Sequence, residues 1–241
     1  MPSPTDFNQS PYYDDFTESK NFHRILFRPA FAVQARELTQ SQSILQNQVE
    51  RVSDHLFDKG AMVIPGQVAW DTDYQAVKLT SFTGSSTLSD FESVEVTGGT
   101  SGVVGTIVNS VVTDGTDPNT LFIRYSKTGT DNAAKTFTDG ETITGTTSAS
   151  VDLSAVVETT ATGSAAQIEA GVYYINGFHV SVAQQTLILD KYTNTPSYRV
   201  GLTVTESFVT PNDDTSLNDN AQGSSNENAP GAHRHKIALT L

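Results

Sequence analysis

The sequence predicts a mainly β fold with one long N-terminal α-helix and a discontinuous β domain, interrupted by a small inserted β-sandwich or barrel module. The helix is indicated by apolar residues at helical spacing between Phe31 and Phe57. The strands are indicated by short alternating runs that Gly, Pro, Asn and Asp residues bound. The insertion is indicated by residues 83–165, which are rich in Gly, Thr and Ser and poor in large apolar residues.

Residues 1–30 are predicted to form a docking arm. The segment mixes charged residues with apolar side chains that are too numerous for a free tail. We therefore expect it to pack on its own body or on a neighbouring subunit. Pro29 keeps the preceding residue out of the α region, so the helix is expected to begin after it. The residues assigned to docking are Tyr12, Tyr13, Phe16, Phe22 and Phe27.

Residues 31–58 form the predicted helix, and one stripe along it has the spacing of a coiled coil. Its members are separated by steps of 4, 3, 4, 3 and 4 residues, which is a heptad pattern. They are Leu38, Gln42, Leu45, Val49, Val52 and Leu56. Because the rest of the chain reads as strands, the sequence favours the same helix of another subunit as the partner of this seam.

Gln42 is the one polar residue of the seam. In a trimer, three glutamine amides could hydrogen-bond around the axis and set the register. The alternative is that the helix packs on its own sheet and that Gln42 lies at the edge of the stripe. The seam is shorter than three heptads, so a trimer needs further interface area from the arm and the β domains.

The β domain is predicted from two separate segments, residues 59–82 and 166–241. Its clearest element is Gly171–Val182, which reads as two strands around Asn176-Gly177, a strong type I′ turn signal. The last alternating run reaches Leu241, so the protein is expected to continue beyond this residue.

Two segments of the inserted module resemble each other. Val94–Val108 and Glu141–Val157 each have a β pair, then a T-G-x-T-S string, then a second β run. Thr120–Ser126 lies between them and reads as a further strand. The pattern predicts an all-β module built from two related hairpins.

The formal net charge of −13, from 14 basic and 27 acidic residues, argues against nucleic acid and anionic membrane surfaces as partners. Without cysteine, the chain has no disulfide, thiolate nucleophile or zinc–cysteine site. The polar N-terminus lacks the pattern of a secretory signal, and no apolar run is long enough for a membrane span. Assembly in a host cytoplasm is therefore expected.

Two groups of residues are candidates for metal binding. His233 and His235 lie on one face of a predicted strand, where a three-fold assembly could gather them around a metal; the alternative is a solvated pair at a strand edge. The polar loop of residues 211–231 carries acidic groups suited to calcium but lacks compact ligand spacing. These acidic residues are Asp213, Asp214, Asp219 and Glu227. We expect no bound metal and no cofactor.

Four aromatic residues could stack on a sugar, although core packing is the commoner role beside an Asn-Gly turn. They are Trp70, Tyr173, Tyr174 and Phe178. No nucleophile elbow, P-loop or dinucleotide-binding glycine pattern occurs in the chain. The helix carboxylates are interpreted as charges that flank the seam. The chain is therefore expected to have no catalytic residues and not to be an enzyme.

Several long strings occur together in the chain. YYDDFTESKNFHRILFRP precedes QARELTQSQSILQNQ and FDKGAMVIPG, and GVYYINGFHVSV precedes LNDNAQGSSNENAPGAHRHKIALTL. Together they resemble an uncharacterised family of virion structural proteins from cyanophages and other tailed phages with contractile tails. The resemblance covers residues 11–82 and 166–241. At the positions of His233 and His235 that family more often has an acidic and an apolar residue.

The resemblance implies a tail-fibre or baseplate component of a virion. In that role the N-terminal region would trimerise and dock the trimer to other baseplate, tail or neck proteins. Two alternatives stay open: a fibre attached at the neck or capsid, and a module that binds a host glycan or receptor through the β insertion. A glycan-degrading tailspike enzyme is disfavoured, because it needs paired carboxylates in a groove.

Overall fold

The computed structural model describes residues 5–85 and 87–241, which form a mainly β protein with one long α-helix. The helix and the mainly β character confirm the coarse fold prediction. The chain divides into two compact units. Unit 1 comprises the described residues up to Gln67, with Ile168–Gln185 and Gly201–Leu241, and unit 2 comprises Val68–Gln167 and Thr186–Val200. None of the helices in the described part of the chain has the length and hydropathy of a membrane span.

The long helix, α1, extends from Ala35 to Leu56. It begins later than the predicted Phe31, because Gln34 is still extended and serves as the N-cap. The Gln34 backbone N–H donates to the Glu37 carboxylate at 2.9 Å, which satisfies a group that the helix itself leaves unpaired. At the other end the Phe57 N–H closes the last turn on the Ser53 carbonyl at 2.8 Å.

The described residues contain twelve strands, which alternate with short 3-10 helices and loops. In chain order they are β1 (Met62–Ile64), β2 (Val68–Thr83), β3 (Glu95–Gly98), β4 (Val104–Val111), β5 (Thr120–Lys127), β6 (Thr142–Thr146), β7 (Asp152–Ile168), β8 (Gly171–Ile175), β9 (Phe178–Val182), β10 (Gln185–Asp190), β11 (Thr203–Val209) and β12 (Arg234–Thr240).

Unit 1 contains two small antiparallel sheets beside the helix. One has the order β1-β8-β9 and the other pairs β11 with β12. The predicted type I′ turn between β8 and β9 is confirmed, since Asn176 and Gly177 have φ values of 49° and 86°. The core of these strands is apolar and consists of Ile168, Tyr173, Ile175, Val180, Val182 and Leu239.

Unit 2 is built on one antiparallel sheet that closes on itself. Its strand order is β10-β7-β2-β5-β4-β3-β6, and β6 also pairs with β7. The strands from β7 to β6 therefore form a ring, and only β10 lies outside it. Inward-facing side chains fill the ring and exclude water, which is the main source of its stability. The most completely buried are Val77, Phe91, Val96, Val103, Ile107, Leu121, Ile143 and Val157.

The two similar segments of the sequence are neighbours in this ring. The first forms the hairpin β3–β4, the second forms β6–β7, and β3 pairs with β6. Glu141, at the start of the second segment, is buried and accepts hydrogen bonds from the turn of the first. The donors in that turn are the Thr100 N–H at 2.9 Å, the Ser101 N–H at 2.8 Å and the Ser101 hydroxyl at 2.8 Å. One carboxylate thus joins the two hairpins.

Candidate interaction surface

The most unusual surface of the described residues lies on α1, whose buried face is largely polar. Ile44, Asn47 and Ser53 are the buried residues of the helix. Asn47 is only 5% exposed, and no hydrogen bond of its side chain occurs within residues 5–85 and 87–241. An amphipathic helix on the surface of a globular protein normally turns its apolar stripe toward the core and its polar residues toward water. Here this order is reversed.

Part of the inner face of α1 is covered by the arm. Asp14, which is 1% exposed, accepts a hydrogen bond from the Ser43 hydroxyl. Asp15 accepts from the Gln40 amide at 3.1 Å and lies 3.7 Å from the Arg36 guanidinium. The arm carboxylates therefore match the polar groups of this face.

The β8–β9 hairpin covers the C-terminal part of the inner face. The Gln46 amide donates to the Gly177 carbonyl at 2.6 Å, and the Tyr174 hydroxyl donates to the Asp54 carboxylate at 2.5 Å. Burial, and then the bond to Asp54, raises the pKa of Tyr174 well above its usual range. These contacts fix the orientation of α1 in unit 1.

The outer face of α1 carries the predicted seam. Leu45 is 67% exposed and Leu56 is 69% exposed. The remaining apolar seam residues, Leu38, Val49 and Val52, are also exposed. Large apolar side chains aligned along one exposed helix face are typical of surfaces that bind another protein, whereas single exposed apolar residues are common on any protein surface. We refer to these five side chains as the seam.

Gln42 differs from the other predicted seam residues in its surroundings. It is exposed and lines a cleft of about 670 Å³ between α1, the start of the arm and β12. Phe7, Phe178 and Phe208 provide apolar walls of this cleft. Gln42 therefore lies where the outer face of the helix meets the cleft.

The predicted docking arm has two parts with different environments. In the first part, Tyr12 stacks on Phe208 at 5.0 Å between ring centroids, and its hydroxyl lies 2.6 Å from His233 Nδ1. Phe16 is half-buried, whereas Tyr13 is exposed. Tyr12 and Phe16 thus fasten the arm to its own unit.

Residues 19–34, which comprise the second part of the arm and the four residues before α1, present most of their large apolar side chains to solvent. The most exposed of them is Leu26, at 75%. Phe22 and Phe27 of the predicted docking set are exposed as well, together with Phe31 and Val33. Phe31 and Val33 lie beyond residues 1–30, which the sequence assigned to the arm. We call residues 19–34 the free arm.

The two histidines of the sequence prediction take part in the packing of the arm. His233 contacts Tyr12 as described, and His235 Nε2 lies 3.3 Å from the Glu206 carboxylate. The ring of His235 also meets Phe7 edge-on, at 5.0 Å. Within the part of the chain that the structure describes, no three His, Asp or Glu side chains are grouped to hold a metal ion.

The acidic residues proposed for calcium are engaged by their own loop. Asp213 accepts from the Thr210 backbone N–H at 2.9 Å, and Asp214 accepts from the Ser216 N–H at 2.9 Å. Hydrogen bonds with the side chains of Thr210 and Ser216, followed by those from the backbone N–H groups of the same residues, lower the pKa of both carboxyls. Asp219 and Glu227 likewise accept backbone N–H groups nearby, at 2.9 and 2.8 Å. The carboxylates shape the loop.

The four aromatic residues considered for sugar stacking do not share one environment. Tyr173 and Tyr174 are buried in unit 1, and Phe178 is half-buried beside them. Trp70 is 57% exposed on β2 of unit 2. Core packing accounts for the two tyrosines.

A family model described as "Domain of unknown function (DUF4815)" matches residues 10–135 and 106–241 of the chain. The two matched ranges overlap and together span nearly the whole sequence, including residues 83–165, which the resemblance to virion proteins did not cover. No curated protein and no solved structure matches the chain.

Proposed function

The chain belongs to the family described as Domain of unknown function (DUF4815), and we propose that it is a non-enzymatic structural protein of a contractile-tailed phage. In this role it is a tail-fibre or baseplate component of the virion. Its N-terminal region holds a homotrimer together and docks the trimer to other proteins of the particle.

The seam is the observation that carries this proposal. Five large apolar side chains at heptad spacing are exposed on α1, while the arm and the β8–β9 hairpin occupy the opposite face. Exposed apolar area of this kind is stabilised when a second apolar surface covers it. A helix with the same spacing offers the best match, because a and d side chains insert between those of a facing helix.

The number of three subunits and the place of the protein in a virion rest on the resemblance of the N-terminal strings to virion structural proteins. A specific interface buries roughly 1,200 Å² or more in total, which a seam of this length does not supply alone. The free arm adds five further exposed apolar side chains to the interface.

We also propose that the chain contains a β module inserted into a discontinuous β domain, and that this module extends beyond the predicted residues 83–165 to the bounds of unit 2, because β2 pairs with β5. The proposal is supported by the Gly-, Thr- and Ser-rich composition of the segment. It is further supported by the strands β3 to β6, which lie within the segment and pair with one another.

Replacing Leu45 by aspartate is expected to dissociate the oligomer. The substitution places a charge in the middle of a seam that is apolar on every subunit, and burying an unpaired carboxylate is strongly unfavourable. We expect sedimentation equilibrium to give three times the chain mass for the unchanged protein. For Leu45→Asp we expect the chain mass, with an association constant reduced by roughly a hundredfold or more.

Gln48→Asp is the matched control for this experiment. Gln48 is exposed on the same helix but lies outside the seam, so the same new charge should leave the oligomer intact. Circular dichroism should show unchanged secondary structure for both variants. An unchanged protein that sediments as a monomer at high concentration, or an oligomer that tolerates Leu45→Asp, would refute the proposed role of the seam.

A further inference from the structure

The free arm, taken together with the first two residues of α1, differs in charge from the rest of the chain. Residues 19–36 contain four basic residues, Lys20, Arg24, Arg28 and Arg36, and no acidic residue. The whole chain has 14 basic and 27 acidic residues; the remainder therefore has 10 basic and 27 acidic residues, a net charge of −17. These 18 residues therefore carry a net positive charge, whereas the remainder of the chain carries a net negative charge.

The cations of the free arm have no acidic partner among the residues that the structure describes. Within residues 5–85 and 87–241, Lys20, Arg24 and Arg28 form no ion pair. The Arg28 guanidinium lies 4.2 Å from the centroid of the Phe31 ring, also a free-arm residue. The charged groups are therefore available to an acidic surface outside the subunit.

The free arm also leads directly into the seam. Val33 is exposed two residues before α1 begins, and Leu38, the first seam residue, lies within the first turns of the helix. Only four residues lie between Val33 and Leu38, so a molecule that covers the seam also lies close to the end of the free arm. Exposed apolar residues thus continue from the free arm onto the helix.

We infer that the free arm is an exchanged segment that lies on the acidic surface of a second copy of this chain. Its apolar side chains pack on the neighbouring subunit, and its three unpaired cations meet carboxylates of that subunit. The inference rests on the proposed oligomer and identifies which molecule the free arm binds. A second copy fits because it carries both a complementary seam and the excess of carboxylates.

Anionic lipid and nucleic acid fit the charge distribution of the chain less well than a second copy does. A basic and aromatic segment is also typical of contacts with anionic lipid or nucleic acid. However, the net charge of −17 outside this segment would be repelled by either polyanion. Binding to such surfaces is therefore an outcome that the test has to distinguish.

Photo-crosslinking from Phe27 tests the inference directly. The full chain is prepared with p-benzoyl-phenylalanine in place of Phe27, irradiated, and separated on a denaturing gel. We expect a covalent adduct of two chains, because Phe27 is exposed on its own subunit and covered by the next. The adduct yield should fall at least threefold between about 0.05 and 0.5 M salt, since screening weakens exposed charge pairs.

Two variants separate the free arm from the seam. Arg24→Glu with Arg28→Glu should abolish the adduct without loss of the fold, because both side chains are exposed. The same photo-reactive residue in place of Tyr198, exposed on unit 2, serves as the control position and should give little adduct. In the Leu45→Asp background, an adduct that persists at high protein concentration supports an arm contact that is independent of the seam.

The outcomes distinguish failure of the two proposals. An oligomer in sedimentation without an adduct from position 27 overturns the exchanged arm but leaves the seam intact. A monomer without an adduct overturns both. The unmodified chain is also tested for binding to phosphatidylglycerol vesicles and to single-stranded DNA. If such binding is lost on Arg24→Glu with Arg28→Glu, and if no two-chain adduct forms, the free arm binds a polyanion and the inference is overturned.

Discussion

Glu141→Ala is expected to destabilise unit 2 by about 3 kcal/mol at neutral pH. The substitution removes the acceptor for the Ser101 N–H and the Ser101 hydroxyl, both in a buried residue, and for the Thr100 and Thr138 N–H groups. Buried donors that lose their partner keep the full cost of desolvation. Urea unfolding followed by the fluorescence of Trp70 measures the effect, because this single tryptophan lies on β2 of the same sheet.

The contribution of Glu141 should also depend on pH. Burial by itself raises the pKa of Glu141, but hydrogen bonds from Ser101 and Thr138, with a further one from Thr100, outweigh it, and the pKa lies below its ordinary value. A depressed pKa in the folded state means that this stabilisation is complete above the pKa of an unfolded glutamate, roughly 4.3. It is lost as the pH falls from there through the folded pKa.

Two further variants separate the charge of Glu141 from its packing. Glu141→Gln keeps the shape of the side chain and should abolish the part of the acid sensitivity that this group contributes. Glu158→Ala removes an exposed glutamate of β7 and should change the free energy of unfolding by about 0.5 kcal/mol or less. If Glu141→Ala were as mild as Glu158→Ala, the carboxylate would not join the hairpins in the way described.

Gly84→Ala is expected to be the second strongly destabilising substitution, with a loss of about 3 kcal/mol or more. Gly84 has a φ of +92°, which side chains rarely adopt, and an added Cβ would lie 2.1 Å from the Asp152 carbonyl oxygen. Gly84 directly follows β2 and Asp152 is the first residue of β7, so the backbone at neither position can move away without disturbing these strands. Thermal unfolding followed by Trp70 fluorescence measures the loss.

Gly115→Ala is a closely matched control for Gly84→Ala. Gly115 has nearly the same φ, +91°, but nothing lies within 4 Å of its added Cβ. Its loss should reflect backbone strain alone, about 1 kcal/mol. Equal losses at the two positions would show that the strands yield to the added methyl group and would contradict the close approach of Asp152.

The sequence was sufficient for elements whose signals are local. The turn at Asn176-Gly177 follows from the φ values that these two residue types accept, and the structure confirms it. The β3–β4 and β6–β7 hairpins follow from short alternating runs around Gly and Thr residues. The predicted start of α1 is four residues too early, because it was placed just after Pro29, whereas Gln34 is still extended and caps the helix.

Local sequence signals did not predict contacts between residues that are distant in the sequence. The position of Glu141 in the chain does not show that its carboxylate accepts hydrogen bonds from Ser101, which lies 40 residues earlier. Similarly, the anchoring role of Tyr12 depends on Phe208 and His233, which the fold brings to the arm from the far end of the sequence. These contacts depend on register and topology, which periodicity does not encode.

The sequence by itself determined that this chain is mainly β and that it has one helix with a heptad stripe. Only the tertiary structure decided which face of the helix is left open. The heptad spacing is compatible with a stripe buried on the chain's own sheets. Asp14, Asp15 and the β8–β9 hairpin instead hydrogen-bond to the polar face, and this pairing turns the apolar stripe toward solvent. Because hydrogen bonds satisfy its polar groups, this face is buried at little desolvation cost, and the apolar stripe is left to solvent.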